Sequence, residues 1–320
     1  MHPFVLPCQI TIRLWRTAIA ALPGVFLLAA AALPGGCGPV ADGAHAAPYG
    51  IISHNPPPPV ELHIGVLPDQ LPAELAARYA PLVAYLGSTL GIPATLVPAR
   101  DYQQLLDQLG DGRVDVALLG GVTFLIARQR GAILPLVMRR RDTHFASYFL
   151  VRGDQPATSL SDLGGARLAF GSRLSTSGHM MPRHYLMQEG IDAERFFGSV
   201  THYDTHDLTI RALLDGNIDV AAVNSAIADR VLADPRIAPG TVRVLAKTPP
   251  YPDYVWVARS GLPDEFSSRV AAAFLRLRVD NPADAALLKS LDAKLYLPAR
   301  NRDFASLREV MQQIHPEPLP

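Results

Sequence analysis

The alternation of short apolar runs with helix-length segments constrains the fold of this chain more than any other feature. Four runs in the first half predict buried strands, at residues 62–67, 94–98, 114–119 and 133–138. Segments with helical spacing separate them, at residues 73–90, from residue 101 onward and at 123–129. Strands that alternate with helices predict a mostly parallel sheet covered by helices.

A second series of strands and helices follows the first and predicts a second lobe. Its strands are expected at residues 147–152, 166–170, 200–203, 218–223 and 242–246, with helices at 179–189, 207–215 and 225–233. A last strand at 254–258 returns towards the first lobe, and helices at 264–279, 282–291 and 303–314 follow it. We therefore predict lobe 1 at residues 60–150 and 250–320, and lobe 2 at residues 151–249.

Residues 1–37 resemble an export leader. Two arginines precede residues 17–33, an apolar stretch of signal-peptide length that proline and glycine interrupt and that is short for a membrane span. Two processing sites remain open. Residues 33–37 resemble a lipobox, in which Cys37 would be lipidated, whereas residues 44–46 suit ordinary signal peptidase.

Residues 38–59 predict a linker between this leader and the folded lobes. They have no amphipathic pattern and end in four consecutive prolines, which form a stiff polyproline spacer. A lipid anchor at Cys37 plus this spacer would hold the lobes off a membrane. The prediction is therefore an exported protein of the periplasm or cell envelope, lipid-anchored in preference to freely secreted.

Composition argues against several classes of function. Lys plus Arg and Asp plus Glu both total 29, whereas a nucleic-acid-binding protein normally has a basic surplus. Both cysteines, Cys8 and Cys37, lie in the leader, so the body has no thiol nucleophile and no disulfide. No compact spacing of histidines suits a metal ion. We expect no cofactor, no metal and no nucleic-acid partner.

Residues 171–178 are a candidate anion site. This Gly-Ser-Arg-Leu-Ser-Thr-Ser-Gly stretch follows an apolar strand and precedes a helix. A helix start binds anions through its unpaired N–H groups and its dipole, and the hydroxyls of Ser175, Thr176 and Ser177 would add donors. Gly178 would let a ligand approach the backbone. The simpler alternative is that Ser175 or Thr176 only caps the helix.

Short stretches that carry a family resemblance run in order through residues 61–280. They lie at residues 64–68, 81–86, 99–102, 112–117, 147–152, 159–165, 175–178, 205–207, 213–219 and 222–224. In this order they resemble the phosphonate-, phosphite- and phosphate-type substrate-binding proteins of ABC transporters. The resemblance implies a two-lobed type II periplasmic-binding-protein fold of class α/β. Each lobe would be a mostly parallel sheet flanked by helices, with the ligand cleft between the lobes.

The same resemblance implies a set of ligand contacts. The loop of residues 175–178 would hold a phosphorus oxyanion from one lobe, and Tyr102 would bond it from the other. Further implied contacts are Thr123, Ser147, His206, Asp207 and Asn224. Because an ionised carboxylate can only accept hydrogen bonds, Asp207 would select a ligand with a P–OH proton or an amine.

Several of these residues also have ordinary structural interpretations. Asp207 stands where a helix N-cap is expected, Tyr102 suits a half-buried core aromatic, and His206 suits a histidine that orients the loop. Arg173 competes as an anion contact, although we expect it to face solvent. Phe145 replaces a tyrosine that many family members have, so one hydroxyl donor is lost.

The function implied by the resemblance is capture of a small phosphorus oxyanion by hinge closure, followed by delivery to an ABC transporter permease. An alternative is an oxyanion-sensing periplasmic partner of a membrane histidine kinase. A third hypothesis is a hydrolytic enzyme on the same scaffold, with a triad of Ser175, His206 and Asp207. Because His206 and Asp207 are adjacent in sequence, they would face each other only awkwardly, and we predict no enzymatic activity.

Overall fold

A computed structural model of the protein describes residues 56–131 and 133–314. The predicted leader, with Cys37 and both processing sites, lies outside these described residues, as does the linker up to residue 55. Within the two described ranges, no helix is both long enough and apolar enough to cross a membrane.

The described residues alternate between strands and helices, as predicted, with most boundaries displaced by only one to three residues. The strands are β1 (Leu62–Val66), β2 (Ala94–Val97), β3 (Val116–Leu119), β4 (Leu134–Arg139), β5 (Ser147–Arg152), β6 (Arg167–Phe170), β7 (Ser199–His202), β8 (Val220–Asn224), β9 (Val242–Lys247), β10 (Val255–Ala258) and β11 (Tyr296–Pro298). The α-helices are α1 (Pro72–Leu90), α2 (Tyr102–Gly110), α3 (Gly121–Arg130), α4 (Met181–Gln188), α5 (Ala193–Phe196), α6 (His206–Leu214), α7 (Ser225–Leu232), α8 (Asp264–Leu275), α9 (Pro282–Ser290) and α10 (Ala305–Ile314). The sequence pattern does not predict α5 or β11, because such short elements show no period.

The strands form two sheets, one in each lobe. Lobe 1 has the strand order β11-β4-β10-β3-β1-β2, and lobe 2 has the order β7-β6-β8-β5-β9. In lobe 1, β1 is parallel to β2 and β3, whereas β10 is antiparallel to both β3 and β4. In lobe 2, β6 is parallel to β7 and β8, and β5 is antiparallel to β8 and β9. The predicted two-lobed α/β fold is confirmed, but both sheets are mixed: four strand pairings are parallel and five, including β11 with β4, are antiparallel.

The chain crosses between the sheets slightly earlier than predicted. All of β5 pairs within the second sheet, so lobe 2 begins before Ser147 and not after residue 150. Where the chain crosses and later returns, Phe145 and Tyr251 form an antiparallel bridge. The sequence could not place this boundary, because a buried strand has the same apolar pattern whichever sheet it joins.

Helix α1 illustrates how the sequence builds lobe 1. It begins at Pro72, a position where the missing N–H of proline is not needed. Its buried side chains recur every three or four residues, at Leu75, Tyr79, Leu82, Leu86 and Leu90. This apolar face packs on the sheet, where Tyr79 meets Trp256 of β10 edge-on, with ring centroids 6.2 Å apart.

The lobe 2 sheet is buried on both faces. Phe149 and Val151 of β5 belong to one apolar cluster, and Leu150 between them belongs to the other. Since successive side chains of a strand point to opposite faces, this division places helices on both sides of the sheet. Double burial is also why these strands appear in the sequence as continuous apolar runs.

Candidate ligand-binding site

Several predicted site residues gather, together with Asp69, where the parallel strands of the two sheets end. Asp69 follows β1, the loop of residues 175–178 follows β6, His206 follows β7, and Asn224 ends β8. The carboxyl ends of parallel strands form one edge of a sheet, which is where open α/β sheets bind ligands. The backbone N–H of His206 donates to the carbonyl oxygen of Asp69 at 3.0 Å, so the two edges meet across an interlobe cleft.

The loop of residues 175–178 opens α4 with one unusually wide helical turn. The Met180 N–H donates to the Ser175 carbonyl oxygen at 3.0 Å, and the Gly178 N–H donates to Ser175 Oγ at 2.9 Å. Wide turns of this kind occur frequently at functional sites. Ser175 is therefore the helix cap of the simpler hypothesis, while the first N–H groups after it have no partner within the turn.

Gly178 has no room for a side chain. A side-chain carbon there would lie 2.9 Å from Cε1 of His206, 3.0 Å from Ser175 Oγ and 3.1 Å from Cα of Gly171. The Gly171 N–H also donates to the Gly178 carbonyl oxygen at 2.8 Å, which fixes the loop against the end of β6. Only glycine fits between these groups.

Tyr102 faces the loop from lobe 1. It is buried, and its hydroxyl lies close enough to the side chain of Ser175 to interact with it. Burial and the nearby carboxyl of Asp69 raise the pKa of this phenol well above its usual value of 10, so the hydroxyl keeps its proton and can donate. The structure thus brings together two residues that were predicted to hold a ligand from opposite lobes.

The start of α3 in lobe 1 is capped by side chains from elsewhere in the chain. The Gly121 N–H donates to Asp253 Oδ1 at 2.8 Å. The Val122 N–H donates to Thr176 Oγ1 at 3.0 Å, and this hydrogen bond joins the two lobes. One hydroxyl and one carboxyl, which lie close to each other, thus complete the helix cap across the cleft.

Asp253 is fully buried, and this burial raises the pKa of its carboxyl. Burial raises the pKa of its carboxyl from 3.8 to about 7, against hydrogen bonds from Gly121 and Thr176 that favour the ionised form. Between these two pH values the folded protein binds this proton and the unfolded chain does not. The resulting contribution to stability is present below about pH 4 and is lost as the pH rises to about 7.

We expect the ligand-free Asp253→Asn variant to lack this loss of stability. Between about pH 4 and pH 7, its melting temperature should therefore rise relative to that of the wild-type protein. The rise should be roughly 2–4 °C for each kcal/mol of unfolding free energy that the wild-type protein loses. Calorimetric unfolding at several pH values measures this difference, with the exposed Asp229→Asn variant as the control. If the melting temperatures of wild type and Asp253→Asn changed in parallel with pH, the raised pKa of Asp253 would be contradicted.

A hydrogen-bond chain links Asn224 of lobe 2 to Asp69 of lobe 1. Asn224 Nδ2 donates to the Tyr254 hydroxyl at 2.7 Å, and this hydroxyl donates to the carboxyl of Asp69. Asn224 Oδ1 also accepts from the N–H groups of Ala226 and Ile227 at the start of α7, which fixes the orientation of the amide. Burial raises the pKa of Asp69, so the cleft contains a second buried carboxyl of raised pKa beside Asp253.

His206 presents a free donor in the cleft. It is only 1% exposed, and burial lowers the pKa of its imidazole to about 3, so the ring is neutral. Its Nδ1 accepts from the Asn224 N–H at 3.4 Å, which leaves the ring proton on Nε2. This Nε2–H has no hydrogen-bond partner among the described residues. A buried donor without an acceptor is rare and costly, and it indicates a ligand position.

The carboxylate of Asp207 reaches the opposite lobe. Its Oδ2 accepts from the N–H of Leu71 at 3.0 Å, and Leu71 precedes α1 without a side-chain cap of its own. A carboxylate at a helix N-terminus is favourable, so Asp207 caps a helix of lobe 1. Its own helix is capped by Thr205, whose Oγ1 accepts from the Leu208 N–H at 3.2 Å. The contact of Asp207 with a ligand stays a prediction.

Removing this interlobe cap should weaken ligand retention. We expect Asp207→Ala to raise the Kd for methylphosphonate roughly 2- to 30-fold, which corresponds to the loss of about 0.5–2 kcal/mol for a helix cap. Dissociation should become faster, and Asp207→Asn should be intermediate because it keeps an acceptor without the charge. Titration calorimetry and stopped-flow release measure both effects, with Asp229→Ala as the control. An Asp207→Ala variant with unchanged affinity for methylphosphonate would show that this interlobe cap does not help to retain the ligand.

Three other predicted contacts have different surroundings. The Thr123 hydroxyl donates to the Gly120 carbonyl oxygen at 2.9 Å. The hydroxyls of Ser147 and Tyr251 share a hydrogen bond of 2.5 Å at the interlobe crossing. Both Thr123 and Ser147 are fully buried, with their hydroxyls engaged within the protein. Ser177 is also buried, but its hydroxyl bonds to no residue in the described part of the chain.

Sequence reasoning did not identify Asp69, Asp253 or Tyr254 as site residues. The available signal was their position, because Asp69 lies just beyond β1 and the other two directly precede β10. Together the cleft residues offer amide, hydroxyl and imidazole donors beside two carboxyls, a combination suited to an anion that carries a proton. Among the described residues, no group of three or more His, Cys, Asp or Glu side chains is placed to hold a metal ion.

Comparison with known proteins identifies similar sequences. The family model for the periplasmic substrate-binding protein of phosphonate ABC transporters matches residues 64–304. The chain is 25% identical, over 80% of its length and 91% of the relative's, to the probable ABC transporter phosphite binding protein PhnD1 of Prochlorococcus marinus. It is 24% identical, over 78% of its length and 75% of the relative's, to the phosphonates-binding periplasmic protein of Escherichia coli.

Solved structures show the same architecture. PhnD1 of Prochlorococcus marinus in complex with methylphosphonate has a TM-score of 0.75, at 24% identity over 80% of this chain and 98% of that one. A protein of Xanthomonas citri bound to chloride has a TM-score of 0.66, at 26% identity over 81% of this chain and 99% of that one. The two-lobed fold is shared along nearly the whole length of both structures. The chain therefore belongs to the family of periplasmic substrate-binding proteins of phosphonate ABC transporters.

Proposed function

We propose that this protein captures a small phosphorus oxyanion, namely a phosphonate, phosphite or phosphate, between its lobes and delivers it to an ABC transporter permease. The observation that carries the proposal is the buried Nε2–H of His206, which has no acceptor among the described residues. An anion oxygen between His206 and the loop of residues 175–178 would supply that acceptor, together with donors from the wide turn.

The oxyanion would be held from both lobes. Ser175, Ser177 and the first N–H groups of the turn face it from lobe 2, and the Tyr102 hydroxyl faces it from lobe 1. Because Asp207 bonds to Leu71, we assign the selection of a P–OH proton to Asp69. Its buried carboxyl lies on the cleft side of β1 and accepts from Tyr254, and a fully ionised ligand beside it would be repelled.

The relatives support this choice of ligand class. The names of the relatives refer to phosphite and phosphonates, and the PhnD1 structure contains methylphosphonate. We propose the same class of ligand here and no chemical step, since a binding protein releases its ligand unaltered. Phosphorus NMR after long incubation tests this absence of catalysis, and a new phosphorus resonance would contradict it.

The leader and spacer support export with a lipid tether. The motif at residues 33–37 would place an acyl chain on Cys37 and leave the proline-rich segment between membrane and lobes. Mass spectrometry of the mature N-terminus tests this proposal directly. An unmodified N-terminus directly after residue 46 would contradict the lipid anchor and show that the protein is freely secreted.

A thermal-shift panel tests the ligand class. A ligand that binds only the folded state adds about 2.7 kcal/mol of stability at one hundred times its Kd, which is roughly 5–10 °C for a body of this size. We expect such a rise with methylphosphonate, phosphite or phosphate, and none with sulfate, which has no proton for Asp69 at neutral pH. A rise with none of the phosphorus anions would refute the proposal.

A further inference from the structure

Two arginines face each other across the cleft beside the predicted oxyanion site. Arg78 belongs to α1 in lobe 1 and Arg230 to α7 in lobe 2, and both line a cavity of about 20 Å³. The same cavity is lined by Asn224, Tyr254 and Asp69, which form the hydrogen-bond chain described above. The cavity therefore borders the cleft at Asn224, one of the predicted ligand contacts.

Neither arginine has a directly bonded carboxylate in the described part of the chain. Nη2 of Arg230 is buried and has no hydrogen-bond partner among the described residues, and in that part of the chain neither Arg78 nor Arg230 forms an ion pair. Burial and the positive charge of Arg78 lower the pKa of Arg230. The charge of Arg230 in turn contributes to the lowered pKa of His206, so the two side chains are close enough to interact.

The other charged residues that line this cavity are already paired. Asp292 is bonded to Arg141, and Arg139 is bonded to Asp142 with Nε–Oδ2 at 2.7 Å. The remaining carboxyl that lines the cavity, that of Asp69, accepts from the Tyr254 hydroxyl. Two guanidinium groups without a salt bridge among the described residues therefore face a single remaining carboxyl in the cavity, and the excess positive charge is costly unless a ligand balances it.

We propose that Arg78 and Arg230 form a second anion subsite, which takes a carboxylate carried on the carbon substituent of a phosphonate ligand. The phosphonate group would occupy the cleft as in the proposed function, on which this inference rests. Because the arginines come from different lobes, the carboxylate would bond both and hold the closed state together. A substituent that ends in an ammonium group would be repelled at the same place.

The size of the cavity limits the substituent. A volume of about 20 Å³ admits roughly one water-sized group, such as one carboxylate oxygen placed between the two arginines, so a long chain or a nucleoside would keep the lobes apart. One carbon between phosphorus and carboxylate is the shortest link that separates the two acidic groups. Phosphonoacetate is therefore the probe that fits, and 2-aminoethylphosphonate is its cationic counterpart.

Titration calorimetry with the purified protein at neutral pH tests the inference. We expect phosphonoacetate to bind about tenfold tighter than methylphosphonate, and methylphosphonate to bind tighter than 2-aminoethylphosphonate. Equal affinities, or a preference for 2-aminoethylphosphonate, would overturn the second subsite while leaving the proposed function intact. If methylphosphonate also fails to bind, the proposed function itself fails, so the two failures are distinguishable.

Arginine variants assign the preference to this subsite. In Arg230→Gln and in Arg78→Gln, the ratio of the Kd for methylphosphonate to that for phosphonoacetate should fall from about ten towards one. Arg195→Gln, whose side chain is 88% exposed on lobe 2, removes the same charge and should keep the wild-type ratio. A preference for phosphonoacetate that persists in both cleft variants would place the second contact elsewhere and overturn the inference.

Discussion

Replacing His206 by phenylalanine should lower the affinity for methylphosphonate by roughly 10- to 150-fold, since a hydrogen bond to a charged group contributes about 1.5–3 kcal/mol. Phenylalanine keeps the shape of the ring against Gly178 but removes the Nε2–H that has no other partner. It also leaves the Asn224 N–H without its acceptor. Titration calorimetry on the purified variant measures the loss.

Two further variants distinguish the loss of the Nε2–H donor from a general disturbance of the folded structure. His206→Gln can place an amide N–H close to the position of Nε2, so it should retain more affinity than phenylalanine does. His184→Gln is the matched control, because Nδ1 of His184 is also buried without a partner among the described residues but lies on α4, beyond the loop. Equal affinities for His206→Phe and wild type would show that Nε2–H does not contact the ligand.

A Gly178→Ala substitution should have an effect of similar size for a different reason. The new methyl group would lie 2.9 Å from the His206 ring and 3.1 Å from Cα of Gly171. His206 can shift only by giving up its contacts, and Gly171 is backbone at the end of a central strand. Overpacking of this kind costs about 1–3 kcal/mol, so we expect affinity to fall roughly 5- to 150-fold, with a lower melting temperature.

Gly110→Ala is the control for this substitution. No atom lies within 4 Å of a side-chain carbon built at Gly110, and its place at the end of a helix favours alanine. We expect wild-type affinity and an equal or higher melting temperature for Gly110→Ala. Titration calorimetry measures the affinity of both variants for methylphosphonate, and thermal unfolding measures their melting temperatures. Wild-type binding by Gly178→Ala would mean that the loop has room for a side chain, contrary to the structure.

The sequence was informative about the fold because the relevant signals are local. Each buried strand is an apolar run of four to six residues, and each helix repeats its apolar face every three or four residues, as α1 does. The anion loop was equally accessible, because a strand, three hydroxyl residues and a glycine stand next to one another in the chain. His206 and Asn224 came only from the family resemblance, and the structure places both in the cleft.

The remainder of the site depends on contacts between distant parts of the chain. Asp207 and Leu71 are 136 positions apart, so no local pattern shows that the carboxylate caps a helix of the other lobe. Asp253 and Tyr254 precede a strand in the sequence and act in the cleft only because β10 is inserted into the lobe 1 sheet. The pairing of two lobes is a tertiary property, and the sequence pattern does not encode it locally.

Titration of the purified protein with methylphosphonate is the decisive test of capture of a phosphorus oxyanion between the lobes. We expect saturable heat for a single site, abolished or strongly weakened in His206→Phe, and no binding of sulfate at the same concentration. Absence of binding by methylphosphonate, phosphite and phosphate alike would contradict it. So would sulfate binding as tight as that of the phosphorus anions, since a buried carboxyl in the cleft would then not select for a P–OH proton.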